Sequence, residues 1–83
     1  MRTESEIKEN IAGSKAKLQE NLDNQNMFAR GGVMTQDLAG QYEKTRAYMR
    51  GWIAFLEGNE STESTDEYKI GFTNAEKWLN DGG

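Results

Sequence analysis

A few residues in this 83-residue chain have types and spacing suited to chemistry. Ser14-Lys15 sets a hydroxyl beside an amine. No local signature marks the pair as an activated nucleophile, and it falls among polar positions of a helical pattern. The chain has neither His nor Cys. The usual general base, the thiolate nucleophile and the commonest zinc ligands are therefore missing. Gly31-Gly32 is followed by Val-Met-Thr, without the lysine or the spacing of a phosphate loop. Glu57, Glu60, Glu63, Asp66 and Glu67 place five acids within eleven residues with no base among them. Carboxylates can bind a hard cation, but calcium loops need acids at positions 1, 3 and 5 and glycine at 6. That pattern is absent. The cluster reads either as a solvated linker or as a surface for a basic partner. The sequence thus points away from catalysis, from any cofactor and from a metal site, and the chain is expected not to be an enzyme.

Charge sharpens the second reading of the cluster. The formal net charge is −4, from ten basic and fourteen acidic residues. Residues 1–30 are neutral and residues 31–56 carry +1, whereas residues 57–83 carry −5. A sequence-independent nucleic-acid binder needs a basic face, and none is present. An anionic membrane is disfavoured on the same ground. The natural electrostatic partner is a larger protein with a basic surface. The longest apolar run is five residues, Trp52 to Leu56. It is too short for a signal segment or a membrane span. A cytoplasmic location is expected. Trp78 either covers the rest of the molecule or stands as an interface anchor.

These residues must be positioned by helices. Proline is absent, and apolar β-branched residues are few. The sequence predicts a single all-α domain: an antiparallel hairpin of helices 4–30 and 36–57, an acidic linker 58–64, and a shorter third helix 65–80. Thr3 and Glu6 form a capping box for the first helix. Ile7, Ile11, Leu18 and Leu22 give it a narrow apolar stripe, and Gly31-Gly32 ends it. Thr35 is the N-cap of the second helix. There Leu38, Tyr42, Thr45, Met49, Trp52 and Leu56 step by 4, 3, 4, 3, 4, a heptad seam that places Trp52 in the core. Glu43, Arg46, Arg50 and Glu57 form a charged strip beside it.

The opposite side of the second helix carries Gly40, Ala47, Gly51 and Ala54. Interior glycine costs about 1 kcal/mol relative to alanine. A strip of small residues lets a second backbone approach, either a helix of the same chain or a partner copy. In the second case Gly51→Leu breaks assembly. Otherwise the strip is drift.

Ser64 with Glu67 gives a third start signal. Tyr68, Phe72, Ala75 and Leu79 then repeat at helical spacing. Alternation of Tyr68, Ile70 and Phe72, with a Thr73/Glu76 capping box, allows a short strand and helix instead. A single helix is preferred, because a lone strand has no partner. Gly82-Gly83 reads as a frayed tail. One echo stands out. Tyr48-Met-Arg-Gly51-Trp52 returns twenty residues later as Tyr68-Lys-Ile-Gly71-Phe72.

The segments 48–56 (YMRGWIAFL) and 68–79 (YKIGFTNAEKWL), in a short, acidic, cysteine-free helical chain, resemble the small helical-hairpin proteins of phages and mobile elements. Several of these inhibit host defence, anti-CRISPR proteins among them. The resemblance covers about a quarter of the chain and is one of type. It implies a non-enzymatic inhibitor in the host cytoplasm, one that occupies a surface of a nucleic-acid-binding complex. The residues expected to meet such a partner are Glu57, Glu60, Glu63, Asp66, Glu67 and Trp78. The alternative is a self-assembling, structural or ligand-sequestering oligomer built on Gly40, Ala47, Gly51 and Ala54.

Overall fold

The computed structural model describes residues 1–81, so Gly82-Gly83 lies outside the described residues. Three helices follow one another: α1 (Glu4–Arg30), α2 (Gln36–Leu56) and α3 (Asp66–Asp81). No strand is present among the described residues, and 68–72 is helix. The Thr3–Glu6 capping box forms in full. The Thr3 hydroxyl accepts from the Glu6 amide at 3.2 Å, and the Glu6 carboxylate accepts from the Thr3 amide at 3.3 Å. Thr35 caps α2 by accepting from the Leu38 amide at 3.1 Å. After α1 and α2 the chain turns at Gly32 (φ 75°) and Gly58 (φ 78°), conformations that only glycine adopts without strain. Helix α2 ends at Leu56, one residue before the predicted boundary.

The two long helices pair antiparallel, and α3 turns back along α2. The tightest packing lies between α2 and α3. The buried residues are Ala47, Gly51 and Ile53 of α2 with Tyr68, Gly71 and Ala75 of α3. A β-carbon on Gly51 would collide with the Tyr68 carbonyl, 2.9 Å from its carbon, and would sit 3.0 Å from the Phe72 amide nitrogen. One on Gly71 would collide with the Tyr48 carbonyl, again 2.9 Å from its carbon. Only glycine lets the two backbones come this close.

Helix α1 buries no residue fully. Ile7, Ile11 and Leu18 are half-buried, while Leu22 is exposed. The heptad seam of α2 does face α1, but the core does not sit there. Trp52 is half-buried rather than in the core, and its indole N–H donates to Asn10 Oδ1 at 2.7 Å. The reason is the thinness of the α1 stripe. Beyond Leu18 the next positions that reach α2 include the polar Asn21 and Gln25, and both accept from Arg46.

Candidate interaction surface

The acidic segment is partly neutralised by the chain's own bases. Lys15 of α1 reaches Glu57 at 2.8 Å. Arg50 of α2 grips Glu63 with two parallel bonds, Nε to Oε2 at 2.8 Å and Nη2 to Oε1 at 3.0 Å. The same Arg50 Nη2 donates to Glu43 at 3.0 Å, and Glu43 also takes Arg46 at 2.7 Å. The charged strip of α2 thus becomes a network, with Glu57 diverted to α1. Hydrogen bonds from Arg50 hold the Glu63 carboxyl below the ordinary carboxylate range. Those from Arg50, and then from Arg46, do the same to Glu43. In return the carboxylate of Glu63, then that of Glu43, raises the Arg50 guanidinium still higher.

Of the five acids, Glu60, Asp66 and Glu67 make no ion pair among the described residues. Glu60 and Asp66 are exposed, and Glu67 is half-buried. Asp66 and Glu67 occupy the first turn of α3, where the helix dipole favours negative charge. Segment 57–65 links α2 to α3 and is exposed along nearly its whole length. The structure therefore splits the cluster. Glu57 and Glu63 tether the segment to the helices, and the remaining three face outward or flank it.

Trp78 is placed apart from these acids, within an aromatic row. Its ring lies 5.9 Å from Trp52, which stacks on Tyr48 at 6.3 Å. Arg2 covers Trp78 from outside, with its guanidinium 4.7 Å from the ring. The Arg2 amide donates to the Leu79 carbonyl at 3.1 Å, and Nε donates to the Trp78 carbonyl at 3.2 Å. The last turn of α3 has no basic residue of its own, and Arg2 supplies one from the other end of the chain. Trp78 thus covers the hairpin. Beside this row a cleft of about 270 Å³ opens between α1 and α2, lined by Asn10, Ser14, Lys17, Tyr48, Met49 and Trp52.

The small strip is occupied in part. Ala47 and Gly51 lie beneath α3 of the same chain, and Ala54 is half-buried beside them. A β-carbon on Gly40 would meet nothing within 4 Å. In this chain Gly51→Leu therefore strikes an internal helix contact first. Arg2 and Asn10 escape sequence reasoning for different reasons. Arg2 precedes the first helix, so no periodicity speaks for it. Asn10 did carry a signal, a polar residue three places from Ile7 on the face that meets α2.

Among the described residues no group of three or more acidic side chains is placed to hold a metal ion. Among the described residues no helix is long and apolar enough to cross a membrane. Comparison with known proteins finds no matching family model, no matching curated protein and no matching solved structure.

Proposed function

We propose that this chain works by binding a larger protein through the acidic turn 57–67, without catalysis. The observation that carries the reading is the division of labour among its acids. Lys15 and Arg50 fix Glu57 and Glu63, which holds the turn in place, while Glu60, Asp66 and Glu67 remain without internal counter-charge. A pre-positioned acidic surface loses little freedom when a basic surface docks on it. In the form its resemblance implies, the chain is a phage-encoded inhibitor in the host cytoplasm. It would occupy the nucleic-acid-binding surface of a defence complex such as a CRISPR effector.

The test is a pull-down with tagged protein from host lysate at low and high salt, read by mass spectrometry. One near-stoichiometric partner, lost at high salt and lost with the triple variant Glu60→Gln, Asp66→Asn, Glu67→Gln, is the expected result. A partner retained equally at both salt levels, or held equally by the triple variant, overturns the acidic-surface reading.

A further inference from the structure

The contact between α2 and α3 is reciprocal. Gly51 of α2 lies on the Tyr68 carbonyl of α3, and Gly71 of α3 lies on the Tyr48 carbonyl of α2. The virtual β-carbon at each glycine stands 2.9 Å from the opposing carbonyl carbon. Within each helix the tyrosine stacks on the aromatic one turn later: Tyr48 on Trp52 at 6.3 Å and 26°, Tyr68 on Phe72 at 6.4 Å and 22°. The echoed pentapeptides 48–52 and 68–72 are thus two copies of one packing unit, related by a local two-fold axis.

A surface that pairs with a copy of itself about a two-fold is the definition of an isologous interface. We infer that α2 is self-complementary, and that α3 occupies on it the place that α2 of a second copy would take. With α3 displaced, Gly51 of one chain would lie on the Tyr48 carbonyl of the other, and the reverse. The occupant is a second copy of this chain because the motif seated on α2 is α2's own motif. Helix α1 packs on the seam face of α2, away from this strip. Two hairpins joined this way form a four-helix layer, with the two α2 helices paired at its centre and an α1 on each outer side.

In the intact chain α3 prevails through proximity. A short tether gives it an effective concentration on the order of millimolar. The chain is then a monomer at micromolar concentration, with its assembly face capped by its own third helix.

The experiment loosens α3 without touching α2. Gly71→Ala puts a β-carbon into the Tyr48 carbonyl, and Ala75→Glu places a charge at a position that is 0% exposed. Mass is read by light scattering across a concentration series, with helix content by circular dichroism. The intact chain is expected at 9.4 kDa, and each variant at twice that mass with most helix kept. Adding Gly51→Leu to either variant should abolish the dimer. Variants that stay monomeric at every concentration, whether helical or unfolded, overturn the inference. So does association that survives Gly51→Leu.

Discussion

At the scale of single residues, Arg50 gathers more of the polar structure than any residue near the linker. It joins α2 to the turn through Glu63 and to its own helix through Glu43. Both carboxyls are held below their ordinary value of 4.5. A carboxyl lowered by folding stabilises the fold fully above its unfolded value, and that contribution is lost as pH falls through the folded one. Removing Glu63 should therefore matter at neutral pH and cease to matter in acid. Glu63→Gln is expected to cost about 0.5–1 kcal/mol near pH 7, the scale of a partly exposed ion pair. Its midpoint of thermal unfolding should then fall less steeply than the parent's below about pH 5. Parallel curves in the two proteins would show that the Arg50 bonds contribute nothing.

Among the elements, α2 and α3 form the core and α1 is an outer layer. Native stability is not spread evenly over such a structure. Ile53 is 6% exposed, whereas Leu18 is only half-buried. Ile53→Ala should cost about 2–4 kcal/mol by denaturant unfolding. Leu18→Ala should cost about 1 kcal/mol, because less apolar area leaves water there. Equal losses would place α1 in the core after all. The sequence made the helices themselves legible, since Thr3/Glu6, Thr35 and the glycines announce ends that need no tertiary information. It also made the face of α2 that meets α1 legible through its heptad spacing. It misplaced the core. Heptad arguments weigh large side chains, while the closest packing in this protein is between backbones, at Gly51 and Gly71. The echo of residues 48–52 in 68–72 was the visible trace of that contact. Its meaning required knowing that the two segments touch. The outward acids were legible as a charge run. Which of them would be tied down was not, because Lys15 and Arg50 lie 42 and 13 residues from their partners.

The whole molecule is elongated, 46 × 25 × 18 Å, with a radius of gyration of 14.2 Å. A compact chain of this length is expected near 12 Å. The excess comes from the far end of the hairpin. There Leu22, Met27, Phe28 and Val33 remain 37–58% exposed, and Phe28 meets only Tyr42 among the aromatics. Small-angle scattering should give a skewed pair-distance distribution with a long tail. A symmetric peak would mean that this end folds back on the bundle.

The bond between the Arg2 amide and the Leu79 carbonyl brings the start of the chain to the end of its last helix. Sequence neighbours are therefore partly a matter of convention in this fold. A few residues could bridge that gap covalently while new ends are opened at Gly31-Gly32, a turn exposed to water. The rearranged polypeptide would run α2, α3, α1. Its tightest helix pair would then be synthesised first, and its outermost helix would be added last to a finished scaffold.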